Sequence, residues 1–214
     1  MIIESINIYN LKIPFSRTIK HRLYTRDLTE SIVVVIQDSN GNQGVGEGTP
    51  REYVTGETLA KSLMAARRFS KAILDQPFET INELFALLIG VGDSDVVDKH
   101  PAAFCAIETA LLDLWARVEN KPIYQLFDQF SNNRVLSYSG VIPSIDKEQA
   151  FLKYVGLVRK LKLTSLKIKV VDLESGLAQL AIIREQLGSD IEIRVDANAA
   201  FTADTAIQFI HGAK

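Results

Sequence analysis

The chain has 214 residues, 47% hydrophobic and 23% charged, the composition of a soluble globular protein with room for one large domain or two small ones. Its net charge of -2 gives nucleic acid or anionic membrane no electrostatic attraction. The longest β-branched run, Ile32-Val33-Val34-Val35-Ile36, is far too short to span a membrane, and no secretory signal starts at Met1-Ile2-Ile3-Glu4-Ser5, so the expected location is cytoplasmic.

In chain order, residues 2–11 and 31–37 read as strands, 38–42 (Asp-Ser-Asn-Gly-Asn) as a hairpin turn and 43–47 as the returning strand. Helices follow at 57–74, 80–89 and 101–118, the last opened by Pro101, which suits a first helical turn. Cys105 cannot form an internal disulfide, and on a helix rich in Ala, Ile and Leu it is expected to be a buried structural thiol. His21, His100 and His211 are scattered without metal-ligand spacing. The grammar changes near Val135. Beyond it come strand 135–141, helix 146–161, strand 165–170, helix 175–187, strand 191–197 and helix 202–211. The expected fold class is therefore α/β, with an α+β domain at 1–134 and three β/α units at 135–214.

The most telling segment is Ser165-Leu166-Lys167-Ile168-Lys169-Val170. A strand alternates its side chains, so Leu166, Ile168 and Val170 share one face and both lysines the other. The next strand repeats the plan, with Glu192, Arg194, Asp196 and Asn198 opposite Ile191, Ile193 and Val195. Solvated faces of an antiparallel sheet would explain such charges. The intervening segment argues otherwise. Asp172-Leu173-Glu174-Ser175 starts a helix, Leu177, Leu180, Ile183 and Leu187 recur at helical spacing, and Gly188 ends it. A helical crossover makes the strands parallel, and a polar face on successive parallel strands points into the lumen of a (β/α) barrel near its catalytic rim.

Five motifs in order resemble the muconate lactonizing subgroup of the enolase superfamily, and within it the dipeptide epimerases. They are Gly44-Val45-Gly46-Glu47-Gly48 with Thr55-Gly56-Glu57, Ala106-Ile107-Glu108-Thr109-Ala110-Leu111-Leu112-Asp113-Leu114, Lys121-Pro122-Ile123-Tyr124-Gln125-Leu126, Leu166-Lys167-Ile168-Lys169-Val170, and Arg194-Val195-Asp196-Ala197-Asn198. The resemblance implies a capping domain followed by the first three units of a TIM-type (β/α) barrel. It also implies Lys169 as general base, Lys167 as its partner, Asp196 as a Mg²⁺ ligand and Asn198 as a neighbour in the site. Ser139, expected at the end of the first barrel strand, matches a substrate-contacting position. The segment 16–27 matches a loop that closes over the substrate and helps choose it, which makes Arg22 and Arg26 substrate-binding candidates.

Such a site suits proton abstraction beside a carboxylate. A divalent metal on the carboxylate oxygens stabilises the enolate, and a lysine must be partly neutral to accept the proton. A second ammonium on the same face and desolvation both favour that neutral form. The reaction implied is dipeptide epimerisation of the L-Ala-D/L-Glu type, with o-succinylbenzoate synthase and muconate cycloisomerase as neighbouring alternatives. Two local departures stand out. Phe127-Asp128-Gln129 replaces a leucine and paired glycines, and Ala199-Ala200-Phe201 replaces a segment where glycine and tryptophan are common, a change expected to affect packing more than ligation. Eight β/α units would need on the order of 200 residues, whereas Val135 to Lys214 supplies 80. The chain is thus expected to lack later metal ligands and the opposite-face base, to be inactive alone, and to act with a complementing C-terminal segment or as a homo-oligomer. A non-catalytic, self-associating module is the reading from another class.

Overall fold

A computed structural model describes residues 1–20, 25–74, 76–92, 99–127, 137–145 and 147–213. The chain divides into two compact units, Met1–Asn132 and Asn133–Lys214.

The first unit opens with an antiparallel sheet in the order β1-β2-β3, formed by β1 (Ile3–Lys20), β2 (Thr25–Asp38) and β3 (Gln43–Gly48). The first two strands run well past the apolar stretches that signalled them. Pairing continues from Pro14↔Leu28 across an irregularity to Ile19↔Arg26 and Lys20↔Thr25, so the described parts of the expected 16–27 loop are the far end of a hairpin. Backbone N–H and C=O groups gain partners from such a ladder whatever the side chains are, which apolar patterning cannot register. Arg22 and His21 lie outside the described residues. The 38–42 turn forms as expected. Asp38 accepts hydrogen bonds from the backbone N–H groups of Asn40 and Asn42 and from the Asn42 side-chain amide. Burial pushes its carboxyl up, but these donors, Asn42 foremost, leave it below the usual range.

Among the described residues, the helices α1 (Glu52–Thr55), α2 (Leu59–Ile73), α3 (Ile81–Gly92) and α4 (Pro101–Val118) follow. The short α1 and a 3-10 turn at Ile123–Leu126 carry no apolar period and escape sequence reading. Ile32, Val34 and Ile36 of β2 form the core with Phe69, Ile73, Ile107, Leu111 and Leu114. The motif Gly44-Val45-Gly46-Glu47-Gly48 explains how α4 reaches this sheet. Alternation turns all three glycines toward α4, where a Cβ at Gly44, Gly46 or Gly48 would lie 2.2, 2.0 or 1.9 Å from the carbonyl oxygens of Ala110, Ala106 and Ala102. A glycine every second residue on the strand meets an alanine every fourth on the helix, and backbone touches backbone.

Two expectations about this unit change. Glu57 does not begin the second helix; Thr58 caps it, and Glu57 stands before it, 1% exposed. Its carboxylate accepts from the Ala102 N–H at the start of α4 and from the hydroxyls of Thr55 and Ser62, so a buried acid has donors on both oxygens. Cys105 is exposed rather than buried. The buried stripe of α4 runs through Ala103, Ala106, Ile107, Ala110, Leu111 and Leu114, and Cys105 falls off it with its Sγ 3.8 Å from the Glu47 carbonyl oxygen.

The second unit contains β4 (Gly140–Ile142), α5 (Glu148–Lys160), β5 (Ser165–Lys169), α6 (Leu173–Leu187), β6 (Glu192–Asp196) and α7 (Ala203–Gly212). The strands are parallel in the order β4-β5-β6, as the crossover argument requires. The fold is α/β, with an antiparallel-sheet unit preceding a parallel-sheet unit. Helices cover the apolar face, where Leu166, Ile168 and Val170 pack with Ile142, Phe151, Val155 and Ile183. Asp172 caps α6 by accepting from the Ser175 N–H, and Gly188 at φ +85° ends it. The first of these strands is shorter than the expected 135–141: residues 135 and 136 lie outside the described residues, and 137–139 are not strand, because pairing with β5 begins at Gly140↔Leu166.

Candidate active site

The site grows from the register of two parallel strands. Lys167 pairs with Arg194 and Lys169 with Asp196, so Lys169 and Asp196 stand level at the C-terminal ends of β5 and β6. Leu166 and Ile168 are fully buried and Val170 is 2% exposed, which commits both lysines to the opposite face. From one step lower, Lys167 reaches up to place its Nζ 2.7 Å from Asp196 Oδ2. The other carboxylate oxygen accepts from the backbone N–H of Asn198 at 3.0 Å. The backbone is tied here too, since Val170 N–H donates to the Asp196 carbonyl at 3.1 Å.

These contacts fix the electrostatics. The Lys167 hydrogen bond, then the Asn198 N–H, hold the Asp196 carboxyl below the usual carboxylate range, with weaker pulls from the charges of Lys167 and Lys169. Just beyond, Asn198 and Ala199 are consecutive non-glycine residues in the left-handed region, at φ +45° and +58°. That turn aims the Asn198 N–H back at Asp196. Ala199 falls in the departing segment Ala199-Ala200-Phe201, and its left-handed φ puts backbone strain beside the carboxylate. The sequence showed a departure over Ala199-Ala200-Phe201, but the left-handed backbone at Ala199 was not legible in it.

The other candidates are distributed differently. Asn198 is exposed at the end of the site, and its backbone, rather than its side chain, makes the recorded contact with Asp196. Ser139 precedes β4 instead of ending it. One residue before Gly140↔Leu166, it is level with Ser165, about 13 Å below Lys169 at the rise of a parallel strand. The structure does not bring Ser139 together with the lysine–aspartate pair. Arg26 belongs to the first unit, where its guanidinium donates to the Leu28 carbonyl at 3.2 Å and to the Tyr53 hydroxyl at 3.4 Å and lies 5.4 Å from the centre of the Phe15 ring. Arg22 lies outside the described residues.

Asp196 supplies a hard oxygen of the kind Mg²⁺ takes. Among the described residues, however, no group of three or more His, Cys, Asp or Glu side chains is placed to hold a metal. Mg²⁺ demands a near-octahedral oxygen shell, so these residues by themselves make part of such a site and not a whole one.

The sequence model of the mandelate racemase / muconate lactonizing enzyme N-terminal domain matches residues 6–127, and that of the enolase C-terminal domain-like family matches 152–213. The chain belongs to the mandelate racemase / muconate lactonizing enzyme family. Among its family relatives, a hydrophobic dipeptide epimerase from Enterococcus faecalis is 33% identical over 98% of this chain and 57% of the relative. An L-Ala-D/L-Glu epimerase from Bacillus subtilis is 28% identical over 98% of this chain and 56% of its own. A crystal structure of the dipeptide epimerase from Enterococcus faecalis, complexed with Mg and the dipeptide L-Leu-L-Tyr, superposes with a TM-score of 0.81 at 30% identity, covering 99% of this chain and 58% of that one. The chain thus spans a little over half the length of the relatives it matches.

Proposed function

We propose that residues 1–134 form the capping domain, and residues 135–214 the first β/α units, of a Mg²⁺-dependent isomerase of the racemase/epimerase type acting on a dipeptide. The observation that carries this reading is Lys169 level with Asp196 on adjacent parallel strands, with Lys167 ion-paired to the same carboxylate. Family membership and relatives named as dipeptide epimerases support it.

In this reading Lys169 Nζ takes the proton from the substrate α-carbon on one face. Lys167 keeps Asp196 ionised and turned toward the same space. Asp196 is the ligand this chain offers to Mg²⁺, which when bound stabilises negative charge on a substrate carboxylate. Asn198 orients Asp196 through its N–H. Arg22 and Arg26 are proposed as substrate-binding residues, and Ser139 is retained only as a weaker candidate because of its register. The L-Ala-D/L-Glu preference competes with hydrophobic dipeptides, since the 33%-identical relative is named for the latter. The proposed location is the cytoplasm; among the described residues no helix is long and apolar enough to cross a membrane.

The proposed partner is either a complementing segment that pairs with β6 and covers Ile207 and Ile210, which are 53% and 59% exposed on α7, or a further copy of the chain. The 214-residue chain alone is proposed to be inactive, because among the described residues Asp196 and Lys169 leave the metal shell and the second substrate face unserved. The test is a panel of acidic and hydrophobic dipeptides, N-acyl amino acids, muconate and the o-succinylbenzoate precursor. It is given to this chain fused to the part of the Enterococcus faecalis enzyme that the chain does not match. Epimerisation of dipeptides supports the reading. Turnover of muconate or of the o-succinylbenzoate precursor alone assigns the neighbouring chemistry, and a folded fusion inert toward the whole panel favours a non-catalytic module.

A further inference from the structure

The turn between β2 and β3 carries the one Asn-Gly step in the sequence, Asn40-Gly41. An asparagine followed by glycine is chemically labile, because glycine has no Cβ to hinder attack by its own backbone nitrogen on the preceding Asn Cγ. Residues 39–42 are exposed, Gly41 stands at φ +83°, and open space surrounds the place a Cβ would take. Water and base therefore have access to the turn. The other asparagines are all followed by residues that carry a side chain.

The fold restrains this step. The Gly41 N–H, which holds the nucleophile, donates to the Asp38 carbonyl at 3.0 Å. The Asp38 carboxylate, on a residue only 1% exposed, accepts from the Asn40 N–H at 3.0 Å, the Asn42 N–H at 2.8 Å and the Asn42 side-chain amide at 2.9 Å. The Asn40 side chain adds a weaker interaction with it. Asp38 N–H donates in turn to the Asn42 carbonyl at 3.0 Å. A backbone nitrogen whose hydrogen is bonded to a carbonyl is held in place and gives up its proton poorly, so attack requires the turn to open first. Opening of an exposed loop tip costs far less than global unfolding.

We propose that Asn40 is a site of spontaneous deamidation whose rate is set by the Asp38 cap. In the opened turn Gly41 N loses its proton to base and forms a bond to Asn40 Cγ, the Cγ–Nδ2 bond breaks, and the side-chain nitrogen leaves as ammonia. Water, the co-reactant, then opens the cyclic imide. Attack at Cγ restores the backbone and leaves an aspartyl residue; attack at the Asn40 carbonyl carbon leaves an isoaspartyl link, with the chain running through the former side chain. No oxidant or reductant is needed. Either product adds a negative charge beside Asp38, and the isoaspartyl link also lengthens the backbone of the turn by a methylene. The β2–β3 register starts at this turn, with Gln37↔Gln43, and carries Gly44, Gly46 and Gly48 to their contact with α4. The modified chain is therefore expected to unfold at lower urea. The inference rests on this turn alone and is independent of the chemistry assigned to Lys169.

Ageing the 214-residue chain at mildly alkaline pH, with peptide mapping by mass spectrometry, tests it. The peptide containing position 40 should gain about 1 Da, the exchange of NH₂ for OH, before any other asparagine peptide does. Asn40→Gln, whose longer side chain closes the ring poorly, should abolish the gain. Asn42→Ala removes one bond to the Asp38 carboxylate from an exposed position, and Asp38→Ala removes them all. Each should speed the reaction at least about fivefold, the effect of one net hydrogen bond on a local opening equilibrium, with the chain still folded by circular dichroism. The chain unfolded in urea should react faster than either. A different asparagine reacting first would overturn the proposal. So would a rate that Asn42→Ala leaves unchanged, or a native chain that reacts as fast as the unfolded one, since the Asp38 cap would then restrain nothing.

Discussion

Gly46→Ala isolates the contact that joins α4 to the first sheet. The added Cβ would lie 2.0 Å from the Ala106 carbonyl oxygen and 2.5 Å from the Ala110 nitrogen, both backbone atoms that cannot rotate away. To reach even 3.0 Å, α4 has to withdraw by about 1 Å, and a gap of that size forfeits a quarter to a half of a contact's dispersion energy. Ile107, Leu111 and Leu114 face the sheet from α4, essentially fully buried. At about 2 kcal/mol each for burial, losing that fraction costs about 1.5–3 kcal/mol, within the usual range for overpacking. Gly156→Ala is the control of opposite sign. Gly156 lies inside α5 with nothing within 4 Å of a Cβ, so alanine there should stabilise by about 0.5–1 kcal/mol. Urea unfolding followed by circular dichroism measures both. A loss below about 1 kcal/mol for Gly46→Ala, against the overpacking range above, would refute the idea that alternate glycines set the strand–helix distance.

Other expectations follow from single contacts. Ala199→Gly should relieve a left-handed backbone and stabilise the chain by about 0.5–1 kcal/mol, read as a rise in thermal midpoint; a fall in midpoint would mean the turn is not strained. Burial raises the Glu108 carboxyl above its ordinary 4.5, so its ionisation opposes folding. Stability from this group is full at low pH and declines as pH rises from about 4.5 through the raised value. Glu108→Gln should therefore melt higher than wild type at pH 7 and alike at pH 3.5, and a pH-independent difference would contradict the assignment. Asp196, held low by Lys167 and the Asn198 N–H, has the opposite sign: its contribution is present above its ordinary 3.8 and is lost as pH falls through the lowered value. The pair is partly solvated, so Lys167→Met should remove no more than about 1 kcal/mol of it, while an NMR titration shows the Asp196 carboxyl moving up. In calorimetry the 214-residue chain should bind Mg²⁺ weakly, because Asp196 alone cannot build an oxygen shell; tight one-to-one binding would refute the partial site.

What the sequence revealed and what it hid have physical causes. Leu166-Lys167-Ile168-Lys169-Val170 declared its strand, its two faces and, through the helix that follows, its parallel neighbour, because period and capping are local. The pairing of Lys169 with Asp196 needed only the next strand in register. The reach of Lys167 to Asp196 was hidden, since it depends on side-chain length across a sheet. So was the position of Ser139, which depends on where β4 starts to pair. Gly44, Gly46 and Gly48 were visible as a motif, but their reason was not, because it resides in α4 more than fifty residues away. Glu57 looked like a helical residue and proved to be a buried acceptor for the start of that same helix. Long-range contacts of this kind leave no periodic trace.

As proposed, Lys169 takes the α-proton of a dipeptide beside Asp196. Proton NMR in D₂O follows it directly, using this chain fused to the unmatched part of the Enterococcus faecalis enzyme, with Mg²⁺ and each dipeptide epimer in turn. The account predicts that the wild-type fusion washes deuterium into the α-position of both epimers. Lys169→Ala should lose exchange from one epimer and all epimerisation while circular dichroism stays unchanged. Undiminished epimerisation by Lys169→Ala would contradict the account.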